Sequence, residues 1–199
     1  MAKLSLSVNA HQAKIAAVIL SLSILQGCAA VTVVALTAGA NMATDRRSIG
    51  NQIDDQSIEV EAYNEITKNK AINDNTNIHV TSVNGTVLII GQAPSAHLKE
   101  QAVKIVSGIE GVVRVQNQIR IGNKTSVTTQ TNDVWLTSKV KTALFSNDEV
   151  SAKDIKVITE NGEVFLMGIV SKKEADAAVN VTRNISGVNR VYKAFEYLK

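Results

Sequence analysis

Apolar positions recur along this chain with two periods, and the periods alternate in the same order twice. Ile58, Ala62 and Ile66 stand four residues apart, as do Leu136, Val140 and Leu144. Side chains at that spacing share one face of an α-helix, so each run predicts a helix with a buried stripe. Short strand-like runs follow: Asn77–Val83 and Val87–Ile90 in the first half, Asp154–Thr159 and Val164–Met167 in the second. Asn84-Gly85 and Asn161-Gly162 separate the members of each pair. Asn-Gly suits a two-residue turn whose central positions both need positive φ, so each pair predicts an antiparallel hairpin. A second helix comes next. In the second half it opens on Ser171-Lys172-Lys173-Glu174, the spacing at which a Ser hydroxyl and a Glu carboxylate cap helix N–H groups reciprocally. Last, Val113, Val115, Asn117, Ile119 and Ile121 alternate with Arg114, Gln116, Gln118 and Arg120. That period of two predicts a strand with one wet face.

The order α-β-β-α-β therefore occurs twice, and the residues themselves repeat. Asn84-Gly85-Thr86-Val87-Leu88-Ile89-Ile90-Gly91 matches Asn161-Gly162-Glu163-Val164-Phe165-Leu166-Met167-Gly168 at an offset of 77. Ile109–Val115 matches Ile185–Val191 at an offset of 76, and Asp55 and Ile58 match Asp133 and Leu136 at an offset of 78. Two units emerge, residues 54–122 and 132–199, joined by the polar stretch 123–131 (NKTSVTTQT). The expected fold class is α+β, each unit packing two helices on one face of a three-stranded mixed sheet.

The N-terminal residues follow a different logic. Residues 1–14 carry Lys3, His11 and Lys14 and no acid, and residues 15–25 (IAAVILSLSIL) are almost wholly apolar. A basic start and a short apolar run before small residues describe a secretory signal peptide. Leu25-Gln26-Gly27-Cys28 resembles the lipobox of bacterial lipoproteins. That resemblance implies a signal at 1–27, cleavage before Cys28, acylation of its thiol and new amine, and a tether over 28–53. Ala29, where an Asp would favour inner-membrane retention, implies the outer membrane. Residues 29–43 (AAVTVVALTAGANMA) are too few to span a bilayer and read as a tether or as a partner-binding segment.

Composition narrows the functional classes. Cys28 is the only cysteine, so an internal disulfide is excluded and packing must hold the fold. Removing residues 1–27 takes away Lys3 and Lys14 and no acid, which brings the formal charge from +3 to +1. A near-neutral mature chain gives nucleic-acid binding no support. The histidines are His11, His79 and His97, none with the spacing of a metal site or a catalytic triad. No cofactor, metal site or enzyme activity is expected. Gly108-Ile109-Glu110-Gly111 has the GxxG pattern of a nucleic-acid clamp, but its place between a helix and a strand makes it a helix cap. Asp54-Asp55 and Asp148-Glu149 read as solvated charge runs.

The element order, with N-G-x-V-x-x-x-G after the first strand and G-V-x-R-V before the last, resembles the BON domain of bacterial envelope proteins. Two such units behind a lipobox are similar to dual-BON outer-membrane lipoproteins of the division- and outer-membrane-stress-associated lipid-binding type. The resemblance implies a phospholipid-binding protein, lipid-anchored on the periplasmic side of the outer membrane, that supports envelope integrity and concentrates at division sites.

The first helices of the two units differ. At about 100° per residue, Leu136, Val140, Ala143 and Leu144 form one stripe, while Trp135, Ser138, Thr142 and Phe145 fall on the other side, flanked by Lys139 and Lys141. An outward Trp beside Lys is the composition of an interfacial helix. Val134, Trp135, Ser138, Lys139, Lys141, Thr142 and Phe145 are therefore the expected lipid-binding residues, with an anionic, phosphatidylglycerol-like phospholipid as partner. In the first unit Ser57, Glu61 and Thr67 stand at the places of Trp135, Lys139 and Phe145, and residues 54–68 hold five acids. That helix is expected to be structural or to face a protein. The competing reading of the whole chain is an adaptor for outer-membrane assembly, cell-wall or division machinery.

Overall fold

The computed structural model describes residues 46–198. The signal at 1–27, Cys28 and the tether up to residue 45 lie outside the described residues. Domain 1 comprises α1 (Ile49–Lys68), a short α2 (Lys70–Asn75), β1 (Asn77–Val83), β2 (Thr86–Ala93), α3 (Ala96–Ser107) and β3 (Arg114–Ile121). Domain 2 comprises α4 (Val127–Phe145), a 3-10 turn (Ala152–Asp154), β4 (Ile155–Glu160), β5 (Glu163–Val170), α5 (Lys172–Arg183) and β6 (Arg190–Tyr197). Each sheet is mixed: β2 pairs antiparallel with β1 and parallel with β3, and β5 likewise with β4 and β6.

The hairpin turns are as the Asn-Gly pairs predict, with positive φ at Asn84, Gly85, Asn161 and Gly162. The capping box at Ser171 and Glu174 is present with both of its hydrogen bonds. The helices extend further N-terminally than apolar spacing indicates. Ser48 caps α1 by accepting from the Asn51 N–H at 3.0 Å, and Ser126 caps α4 by accepting from the Thr129 N–H at 3.1 Å. Residues 127–131 of the expected linker are thus the first turn and a half of α4. A Ser that takes up a free N–H starts a helix wherever it stands, and polar residues continue it on a wet face.

Each domain buries its helices on one sheet face. Ile58, Ala62, Ile72, Val87, Ile89, Ala102 and Val106 form the core of domain 1, and Leu136, Val140, Leu144, Val164, Leu166, Ala175 and Ala178 that of domain 2. The other sheet faces do not meet water as expected. They pack on each other, Val83, Leu88 and Ile90 against Phe165, Met167 and Ala194, so the order of layers is helices, sheet, sheet, helices. Every residue of β2 is buried. Its run of apolar residues on both faces is the signature of a strand covered twice. Around this seam Arg120 bonds Glu163, Gln92 donates to Glu160, Lys156 bonds Glu59 at 2.8 Å, and Asn84 donates to Glu196 at 2.9 Å. Phe165 stacks on Tyr192 with centroids 4.7 Å apart.

On β3 the alternation is only partly realised. Ile119 is buried, but Val113 and Ile121 at the strand's ends are exposed.

Candidate functional site

The site is built on α4, which is tied to the hairpin turn of its own domain. Near its N-terminus Asp133 is buried and accepts from the backbone N–H groups of Asn161 at 2.7 Å and Gly162 at 2.8 Å. The carboxylate thereby ties the helix to the hairpin turn of its own domain. Asp55 does the same in domain 1, accepting from Asn84 at 2.8 Å and Gly85 at 3.0 Å, with Ser82 and Arg47 as further donors. Burial alone would raise the Asp55 pKa; those donors, Gly85 first, outweigh it and hold the carboxyl below its usual value. Asp55 is only 1% exposed, so the solvated charge run expected at Asp54-Asp55 is corrected. The pairing of Asp55 and Asp133 across the repeat, each some 28 residues before an Asn-Gly, is the signal that reveals this device.

Beyond its tie at Asp133, α4 divides cleanly into two arcs. Leu136, Val140 and Leu144 are buried. On the opposite side Val134 is 69%, Trp135 65% and Phe145 69% exposed. Counted at about 100° per residue, Lys141, Val134, Phe145, Ser138, Thr142, Trp135 and Lys139 follow one another around an arc of about 160°. A lysine thus borders each edge of a slot filled by two aromatic rings, a valine and two hydroxyls. Ser138 and Thr142 fold their hydroxyls back onto the carbonyls of Val134 and Ser138, at 3.1 and 3.0 Å. That pairing lowers the cost of taking them out of water. Lys139 donates to the Ser186 carbonyl at 2.7 Å, and Lys141 is exposed.

Beside Trp135 the helix borders a cleft of about 340 Å³, lined also by Asn132, Lys139, Ser186 and Asn189. Sequence reasoning found Lys139 but missed Asn132, Ser186 and Asn189, because they are scattered between α4 and the loop before β6. Domain 1 has the equivalent cleft, about 480 Å³, lined by Asp54, Ser57, Glu61, Glu110 and Val113. The same piece of fold therefore carries acids in domain 1 and lysine and amides in domain 2.

The outward face of α1 is less polar than its acids suggest. Ile53, Val60 and Tyr63 are all exposed. Of its five acids, Asp55 is buried, Glu59 pairs with Lys156 across the seam, and Glu65 pairs with Lys68. Charge, more than apolarity, distinguishes the two outward faces: Glu61 and Tyr63 stand where α4 has Lys139 and Lys141. No group of three or more metal-ligating side chains occurs among the described residues. No described helix is long and apolar enough to cross a membrane.

Two sheets, of order β1-β2-β3 and β4-β5-β6, each antiparallel then parallel and each with a buried Asp under its Asn-Gly turn, define a tandem module. The chain belongs to the BON-domain family, whose model matches residues 54–123 and 132–199. Among its relatives, the outer membrane lipoprotein DolP of Haemophilus influenzae is 41% identical over 87% of this chain and 90% of its own length. The 21 kDa hemolysin of Actinobacillus pleuropneumoniae is 43% identical over 78% of this chain and 80% of its own. The osmotically-inducible protein Y of Escherichia coli is 29% identical over 78% of each. With two BON domains and this kinship, the chain is a dual BON-domain outer-membrane lipoprotein. A solved structure, the C-terminal domain of CdsD from the type III secretion system of Chlamydia trachomatis, aligns over 73% of this chain and 67% of its own at 17% identity and a TM-score of 0.29.

Proposed function

We propose that the protein, anchored in the outer membrane through acylated Cys28, binds anionic phospholipid with the outward arc of α4 and so contributes to envelope integrity. One observation carries this reading: Trp135 and Phe145 stand exposed between Lys139 and Lys141 on a helix whose other side is fully engaged in the core. An indole prefers the headgroup region, where its ring is covered and its N–H stays wet. Each lysine near an anionic surface contributes about 1 kcal/mol. The matching helix of domain 1 would be repelled at Glu61, which assigns lipid contact to domain 2. The names of two relatives, an outer membrane lipoprotein and a hemolysin, agree with a membrane as partner. Several acyl chains give a stable anchor where one is marginal, and the anchor raises the local concentration of α4 at the surface. A weak intrinsic affinity then suffices. Sedimentation with phosphatidylglycerol vesicles tests the proposal: Trp135→Glu should abolish binding by the non-acylated protein while the fold persists. Unchanged binding by that folded variant would refute it.

A second reading is favoured for domain 1. Ile53, Val60 and Tyr63 are exposed on α1 alongside Asp54 and Glu61. An apolar face with acidic borders suits a basic protein partner, such as a component of outer-membrane assembly or division machinery, more than a membrane. Substitution of Tyr63 by Glu should leave vesicle binding intact and weaken capture of such a partner.

A further inference from the structure

The register of domain 2 defines two poles. At one lies the β4–β5 turn, where Asp133 ties down the start of α4. At the other lie the start of β4 and the end of β5, since Ile155 pairs with Gly168. The end of β6 is there too, Tyr197 pairing with Val170. So is the end of α4, because Asn147 and Val150 lead from Leu144 into the 3-10 turn that delivers β4. Phe145 therefore stands at the second pole and Trp135 near the first, about 15 Å apart along the helix.

The chain also enters its folded unit at the second pole. In sequence residue 46 precedes domain 1, but its side chain is held by domain 2. Arg46 forms a fork on Glu174 at 2.6 and 2.9 Å and donates to the Ile169 carbonyl at 3.2 Å. Its Nε lies 3.2 Å from Asp154, whose carboxylate also accepts from the Arg46 backbone N–H at 3.2 Å. Asp154 is buried, so this is a fixed seat for one guanidinium. Domain 1 has Asn77 and His97 at the matching places and builds no such seat. The next residue, Arg47, turns the other way and pairs with Asp55 of domain 1 at 2.9 Å.

We infer that the protein docks on the lipid surface by this pole, with α4 tilted so that its Phe145 end lies deeper than its Trp135 end. The inference rests on the proposed acylation of Cys28 and lipid contact by α4. Seventeen residues separate Cys28 from Arg46. The segment that carries the proposed anchor thus joins the folded unit at this pole and not at the opposite one. Exposed Phe145, Tyr197 and Leu198 are apolar groups of domain 2 at that end, and Val113 beside the domain 1 hairpin turn adds to them. Charge does not select the pole: Lys172 and Lys173 are matched there by Asp148 and Glu149, with Lys173 bonded to Glu149 at 3.0 Å, and the domain 1 hairpin turn, which Asn84 joins to Glu196, adds Asp54 and Glu110. Arg46 acts as a positioning residue by fixing where the tether leaves.

Depth-dependent fluorescence quenching by brominated lipids tests this in the full acylated protein reconstituted in phosphatidylglycerol vesicles. One sample keeps its single native indole, and the other carries W135F with F145W; both substitutions are at exposed positions and spare the core. Deep bromines should quench the indole at position 145 at least twofold more than the native one, and Arg46→Ala should bring the ratio toward one. Equal quenching, or a deeper native indole, would overturn the tilt. A ratio unmoved by Arg46→Ala in a protein with an unchanged thermal melt would overturn the role of Arg46. If neither indole is quenched in otherwise unaltered protein, the lipid-contact reading itself fails, and the tilt with it.

Discussion

Replacing Asp133 with Ala removes the carboxylate that receives both N–H groups of the second Asn-Gly turn, at 2.7 and 2.8 Å. Those groups belong to residues held at positive φ, so the turn cannot easily swing them toward another acceptor. A hydrogen bond to a charged partner contributes about 1.5–3 kcal/mol net. Two such bonds would give about 3–6 kcal/mol. Asp133 is buried but the turn it holds is open to water, with Asn161 exposed, so water recovers some of this, and the low end, about 3 kcal/mol, is the expected loss. Against a typical total of about 5–15 kcal/mol this is a large fraction. Urea unfolding followed by circular dichroism reads it directly. With a slope of about 2 kcal/mol/M the midpoint should fall by about 1.5 M. Asp133→Asn retains one acceptor oxygen and should lose about half as much. A loss under about 0.5 kcal/mol for Asp133→Ala would show that the carboxylate does not hold α4 to its domain.

Other consequences follow from single contacts. A Cβ at Gly91 would lie 1.7 Å from the Asn77 carbonyl oxygen and one at Gly168 2.1 Å from that of Asp154; Gly91→Ala and Gly168→Ala should each sharply lower the melting temperature, whereas Gly122, with open space around its Cβ, should accept Ala. Glu174 is held at a pKa of about 2, chiefly by its bonds to Arg46, against an ordinary value of 4.5. A lowered folded-state pKa gives stability that is complete above the unfolded value and is lost as pH falls through the folded one. Acid titration should therefore show destabilisation between about pH 4.5 and 2 that is smaller in Arg46→Ala. Lys139→Gln with Lys141→Gln should weaken binding to anionic vesicles by about 2 kcal/mol, roughly 30-fold, and flatten its salt dependence; an undiminished salt dependence would remove charge from the account.

Element order and hairpins were legible because apolar spacing and Asn-Gly turns are local signals. The sheet-on-sheet seam was not, although β2 held the clue: Thr86–Ala93 has no polar alternation to match a wet face. Recognising it requires asking what covers the second side, and the answer, Phe165 and Met167, lies in the other repeat. Asp55 and Asp133 were visible as a repeated pair, but Asp54 beside Asp55 made that residue resemble surface charge. The Arg46 seat was illegible because its carboxylates lie more than a hundred residues downstream, at Asp154 and Glu174. On α4 the division into buried and outward arcs was legible from helical period alone. On α1 the same reasoning underestimated Ile53, Val60 and Tyr63, since counting acids drew attention away from the apolar residues between them.

The most direct measurement is a residue-level NMR titration of the non-acylated protein with anionic and zwitterionic micelles. Anionic micelles should perturb a continuous set, Val134, Trp135, Ser138, Lys139, Lys141, Thr142 and Phe145, and leave α1 unmoved, while zwitterionic ones leave both quiet. Perturbations centred on α1, or equal responses to both micelles, would contradict lipid recognition by the second BON domain.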